Sequence, residues 1–238
     1  MKTETAELCG ALIGDGWIQK NGNAMFISGY QTEDREYYGK RIVQLLRTTL
    51  GREIRPRKFP YWNTYGIGIY RNAEIKKFIG FGMPTGKKGT KTDIPKIIQK
   101  SDIENKKAFL RGLFDTDGTM YPMRQNGKYT RLRLRISLIS GKLINSVKMI
   151  CDELGIKYSN PSPRKVGKRR PNKTYIFEIN KKDSIEKWFS IVKSQNPKHT
   201  TKFYLWKKIG HLSPRTTVKE RKCILSHITK LKTKNTGN

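Results

Sequence analysis

The chain has 238 residues, with 50 Lys and Arg against 19 Asp and Glu, a formal net charge of +31. A length of this order accommodates two units that each bury a usable core; the charge calls for a polyanionic partner, DNA or RNA before a membrane surface, and 35% hydrophobic residues exclude a disordered basic tail. Three scattered cysteines (Cys9, Cys151, Cys223) exclude a disulfide framework or a zinc ribbon and suit an intracellular setting, and no apolar run is long enough to span a membrane.

In chain order, Leu8 to Gly16 reads as a short apolar helix ending on an acidic-glycine pair. A hairpin follows, Trp17–Lys20 and Ala24–Gly29 flanking a turn at Asn21-Gly22-Asn23. A helix over Asp34–Leu50 closes on Gly51, as a glycine C-cap does. Strands near 53–59 and 64–70 and a helix at 72–81 complete the unit. The same order then repeats. Leu110 to Gly118 forms the second motif helix, and Thr119–Arg124 and Arg131–Leu138 flank Asn126-Gly127, a strong hairpin turn. A helix over Gly141–Leu154, strands at 156–164 and 173–179, and a helix at 182–192 follow. The fold class is therefore α+β: two pseudo-symmetric αββαββα repeats, each with a four-stranded antiparallel sheet covered by helices. The expected units are residues 1–82, a Gly/Lys-rich linker at 83–103, residues 104–196, and a basic C-terminal extension at 197–238 with short helices near 200–209 and 216–229. Within the linker, Gly82 to Lys88 imitates a phosphate loop but is one residue short and lacks the Ser or Thr after lysine, so it reads as linker.

The repeated helix carries the chemistry. Gly10 and Gly14 lie four apart, hence on one face, and so do Gly112 and Thr116. Small residues at that spacing let two helix backbones meet closely. Asp15 and Asp117, at matching positions 102 residues apart, then stand together at two helix C-termini. Carboxylates there oppose the helix dipole, each at a cost of roughly 0.3–1 kcal/mol. A hard divalent cation reverses those terms, and Asp oxygens with free helix-end carbonyls suit Mg²⁺.

The strands point to the partner. In Thr130–Ile136, Arg131, Arg133 and Arg135 share one face, while Leu132, Leu134 and Ile136 share the other. Arginine reads guanine bidentately and grips phosphate. Lys20, Arg55 and Arg57 are weaker counterparts in the first repeat, whose Tyr65, Ile67 and Ile69 face the core. Arg164, Lys165, Arg169 and Arg170 form a hairpin tip suited to phosphate contacts.

The two motif helices, with the element order over residues 6–195, resemble the LAGLIDADG homing endonuclease family in its single-chain, two-repeat form. The second motif is close; the first carries Ala11 and Ile13 where the family has leucine and an often-acidic residue. The resemblance implies saddle-shaped sheets along double-stranded DNA, packed through the motif helices. It implies Asp15 and Asp117 as catalytic metal ligands, the Gly14 and Thr116 carbonyls as auxiliary ligands, and Gln31 as a group near the attacking water. Mg²⁺ would be the cofactor, with Mn²⁺ or Ca²⁺ able to replace it in binding. A monomer would cut both strands at a long asymmetric site. Thr119 and Met120 stand where members often carry lysine, so a basic group must come from elsewhere, with Arg133 and Arg135 as candidates. The same scaffold would also suit an RNA-binding maturase acting on intron RNA, or a non-catalytic DNA-binding regulator.

Overall fold

The computed structural model describes residues 1–60, 63–164, 166 and 172–235, with side chains as far as residue 230. The first repeat runs α1 (Thr3–Asp15), β1 (Gly16–Ile18), β2 (Met25–Tyr30), α2 (Gln31–Tyr37), a π-helical turn (Tyr38–Ile42), α3 (Val43–Leu50), β3 (Arg57–Phe59), β4 (Thr64–Ile69) and α4 (Asn72–Gly80). After α5 (Lys96–Gln99), the second runs α6 (Ile103–Asp117), β5 (Gly118–Gln125), β6 (Lys128–Leu138), α7 (Gly141–Glu153), β7 (Tyr175–Ile179) and α8 (Lys182–Ile191). Two further helices follow, α9 (Pro197–Ile209) and α10 (Val218–Asn235).

Local chemistry explains the boundaries. Asp102 caps α6 by accepting from the Asn105 amide at 2.8 Å, and Ser140 caps α7 by accepting from Leu143 at 3.2 Å. Gly51, with φ of 74°, ends α3 in the left-handed region. Asn126 and Gly127 both have positive φ, 49° and 75°, giving the primed turn that joins β5 to β6.

The first sheet has the order β1-β2-β4-β3, all antiparallel, and the second has β5-β6-β7. The second sheet thus lacks the expected fourth ladder among the described residues. In place of a strand at 156–164 there are two isolated bridges, Ser159 to Glu178 and Arg164 to Thr174. Pro161 and Pro163 fall within that stretch and remove two amide donors. Pro56 has the same effect in the first repeat, where β3 begins only at Arg57.

The helix expected at 34–50 begins earlier, at Gln31, and contains the π turn. Both sheets bury one face. Leu132, Leu134 and Ile136 point inward from β6, and Ile67 and Ile69 from β4, with Tyr65 packed beside them. The segment after α4 is packed as well: Met83, Ile94 and Ile98 are buried.

Candidate functional site

The site is built on the contact between α1 and α6. A Cβ at Gly10 would lie 2.0 Å from the Phe109 carbonyl oxygen, and one at Gly112 would lie 1.9 Å from that of Glu7. The helices therefore touch backbone to backbone, reciprocally, and any side chain at either glycine would separate them. Glu7, fully buried in α1, braces the junction. It accepts from Arg41 Nε at 2.7 Å and from Arg111 Nη1 at 2.6 Å.

This packing delivers both helix C-termini to one place. Asp15 ends α1 and Asp117 ends α6, and β1 and β5 start at the next residue. Burial pushes the Asp15 carboxyl above its ordinary range; Lys198 and a hydrogen bond from the Tyr38 hydroxyl, at 2.8 Å, oppose that. Asp117 is pushed up to about 6, first by burial and then by the charge of Asp15. The two acids thus repel each other at a partly dry junction. Tyr38 belongs to the π turn, an irregularity often found at functional positions, which here brings its ring to Asp15.

Two lysines answer the acids, and neither was anticipated at the site. Lys88 Nζ donates to the carbonyls of Ile13, at 2.7 Å, and Gly14. Burial lowers its pKa, while Asp117 and Asp15 raise it. Lys198 Nζ donates to the Thr116 carbonyl at 3.0 Å and pairs with Asp34 at 3.0 Å. Each lysine follows the last helix of its own repeat and caps the end of its own motif helix, where cations are favoured. Aligning the repeats beyond α4 and α8 gives the signal: Lys88 lies eight residues after Gly80, and Lys198 seven after Ile191.

The arms that carry these lysines each reach the opposite repeat, and the second is also fastened to its own. In the first, the Thr92 carbonyl accepts from Ser140 Oγ at 2.5 Å, and Asp93 accepts from Ser146 Oγ at 2.6 Å. In the second, the buried Asn196 amide donates to Asp34 and to the Asp115 carbonyl, both at 2.8 Å, and the Gln195 amide donates to Asp115 Oδ2 at 2.7 Å. Asp115 itself is wholly buried, which pushes its pKa up to about 7.

The donors at the junction fit a hard divalent cation. Two carboxylates with raised proton affinity and two helix-end carbonyls already hold positive groups there, namely the ammonium ions of Lys88 and Lys198. Among the described residues no group of three or more His, Cys, Asp or Glu could hold a metal. The two carboxylates and two helix-end carbonyls are an oxygen-only donor set, the kind that suits a hard divalent cation. The Gln31 side chain lies at the start of α2, and its buried Oε1 has no hydrogen-bond partner.

The sheet residues divide. Lys20, Arg55, Arg57, Arg131 and Arg164 are exposed. Arg133 and Arg135 do share a face as expected, but both pair with Glu178 on β7, at 3.2 and 2.6 Å. Their guanidiniums are thereby tied to the sheet, and the basic groups that face the acids are the two lysines. Lys165, Arg169 and Arg170 lie outside the described residues.

Residues 104–193 match the family model of the LAGLIDADG-like domain. Over four fifths of its length, the chain shares its fold with solved homing endonucleases. A structure of I-DmoI in complex with DNA and Mn superposes with a TM-score of 0.54 at 18% identity, covering 81% of this chain and 98% of that one. The meganuclease I-SmaMI bound to uncleaveable DNA gives 0.56 at 13% identity, covering 88% and 91%. No curated protein sequence matches. The two repeats give a mixed α/β, two-sheet architecture with the same fold as those proteins. No helix among the described residues is long and apolar enough to cross a membrane.

Proposed function

We propose that the chain is a metal-dependent endonuclease that cuts both strands of double-stranded DNA at a long asymmetric site. One observation carries the reading: Asp15 and Asp117 meet at the joined ends of two helices, each end capped by a lysine, where two sheets of a strongly basic protein begin. I-DmoI is described with DNA and Mn, with DNA and Ca, and, in a variant form, with its target DNA and Mg, and this chain has the same fold.

Asp15, Asp117 and the carbonyls of Gly14 and Thr116 would hold the metal. When bound, a divalent cation supplies acidity to water and neutralises charge at the phosphate. The protein's own part is positioning. Tyr38 fixes the Asp15 carboxylate, the Gly10–Gly112 contact fixes the spacing of the acids, and Gln31 Oε1 is a free acceptor for a water proton. Lys88 and Lys198 supply positive charge where the phosphate oxygens gain negative charge, a term worth on the order of a hundredfold to a thousandfold in rate per donor. The exposed Lys20, Arg55, Arg57, Arg131 and Arg164 grip phosphates and base edges, and Lys165, Arg169 and Arg170 extend that set. A single chain holding both acids acts as a monomer.

The test is cleavage of a randomised duplex library with Mg²⁺, Mn²⁺ or Ca²⁺. Wild type should make staggered double-strand cuts at one long motif. Asp15→Asn and Asp117→Asn should each abolish cutting while retaining binding. Tight binding with no cutting under any metal would overturn the nuclease reading in favour of a nucleic-acid-binding regulator.

A further inference from the structure

The two sheets present different chemistry on their outer faces at equivalent positions. Gly16 pairs with Ile27 in the first sheet and Gly118 with Ile136 in the second, which fixes the correspondence. Trp17 then matches Thr119, and Phe26 matches Arg135. Phe26 pairs with Gly68, whereas Arg135 pairs with Glu178. The second sheet thus carries an ion-paired polar row where the first carries aromatic rings beside a glycine.

The rings form one cluster. Trp17 stacks on Phe26 with centroids 5.9 Å apart, and Phe26 meets Phe59 and Tyr70 edge-on at 6.0 and 5.7 Å. Trp17 is 43% exposed and Tyr70 55%. Arg57 spans the cluster, donating to the Tyr70 hydroxyl at 2.8 Å and lying over the Phe59 ring. Gly68 keeps the surface open: a Cβ there would come within 2.9 Å of the Tyr70 hydroxyl and 3.2 Å of the Phe26 ring.

An exposed apolar patch on the basic face of a highly charged chain calls for an apolar partner within an anionic one. The major groove offers one such group on its base edges, the pyrimidine C5 methyl, which in unmodified DNA belongs to thymine. Arg57, in contact with Tyr70 and Phe59, gives the patch a cation to hold a phosphate beside it.

We infer that the first sheet reads thymine methyl groups through Trp17, Phe26 and Tyr70, so that the half-site under the first repeat is thymine-rich where the cluster lies. This rests on the double-stranded DNA reading above and assigns the sequence preference of one half of that site. The second sheet, with Arg133 and Arg135 held by Glu178, has no equivalent apolar surface at the positions that match Trp17 and Phe26.

The experiment uses the full chain. Duplexes are selected by binding from a randomised library in Ca²⁺, and the selected duplex is remade with deoxyuridine for thymidine in one half-site at a time. Deoxyuridine keeps the Watson–Crick edge and removes only the methyl. Affinity should fall on the order of fourfold for each contacted methyl, in one half-site only. Trp17→Thr, which installs the residue found at the matching position of the second repeat, should reduce that same half-site's sensitivity to deoxyuridine and relax its thymine preference. Selection of a motif whose two halves both tolerate deoxyuridine in wild type would overturn the inference and leave the DNA reading intact. Failure to retain any duplex would overturn both. The deoxyuridine arm needs no variant, so a folding defect in Trp17→Thr would not mask the result.

Discussion

Two positions before each acid, the motif helices differ. Ile13 in α1 is an apolar core residue, and its counterpart Asp115 in α6 is a wholly buried carboxylate. The fold keeps that carboxylate in the apolar interior, with burial pushing its pKa up to about 7. It does so because Asp115 anchors the second arm, through Gln195, and its carbonyl holds Asn196. The first arm is anchored instead by Ser140, the cap of α7, and by Ser146 and Lys142 within that helix. Both arms bring a lysine to a helix end, but by different chemistry. Pseudo-symmetry is therefore kept in the motif helices and in the charges at the centre, and released in the supports.

The largest expected effect breaks the centre itself. Gly112→Val places a side chain where even a Cβ would meet the Glu7 carbonyl oxygen at 1.9 Å. The helices must part, and the variant should lose cooperative thermal unfolding. A folded, active Gly112→Val would sink the backbone-contact account.

Next, Lys88→Met and Lys198→Met test whether the lysines divide their work. Each caps its own motif helix, so each loss should slow one strand by about a hundredfold or more. Gel analysis of a selected duplex should show nicked product, with opposite strands left intact in the two variants. Equal slowing of both strands would mean that the lysines act on a shared centre.

The supports come third. Asp115→Ala strands the Gln195 amide and should cost about 1–3 kcal/mol of stability, read from denaturant midpoints. Cleavage should slow too, because the loosened arm carries Lys198. Ile13→Val, at the matching position, should cost only about 0.5–1.5 kcal/mol and leave Lys88 in place. If the two substitutions behave alike, the contrast between the repeats is only one of composition.

The smallest effect is in pH. The folded pKa of Asp117, about 6, lies above its ordinary value of 3.8, so the metal-free native state holds this proton more tightly than the unfolded chain does. Its contribution to stability is present below about pH 4 and lost as pH rises through about 6. Asp117→Asn should therefore match wild type near pH 4 in EDTA and exceed it at pH 8. The gap has an upper bound of about 3 kcal/mol, reduced by the solvent contact of this side chain. A gap that does not change with pH would remove charge as its cause.

Local patterns in the sequence carried the motif helices, both hairpins and the inward faces of β4 and β6, because periodicity and turn chemistry are short-range signals. Prolines decided where β3 starts and why residues 156–164 make only isolated bridges, and their effect was readable but given too little weight. Lys88 and Lys198 were hidden for another reason. Each sits in a stretch whose composition reads as linker or basic extension, and its role comes from a contact more than seventy residues away in the chain. Tyr38 was equally hidden, since its contact with Asp15 joins residues 23 apart in the chain. Glu178 could not be placed before β7 was set against β6, yet it decides what Arg133 and Arg135 are free to do.

The crossed arms bear on ancestry. Because each arm makes a bond across to the other repeat, the first to Ser140 and Ser146 and the second to Asp34, two separate copies of one repeat could embrace in the same way. A polypeptide of half this length would have sufficed to build the assembly, as an identical pair reading a palindrome. Joining the copies adds little to how they hold each other. It lets them inherit change separately, and the aromatic face on one side and the arginine–glutamate row on the other are the mark of that freedom.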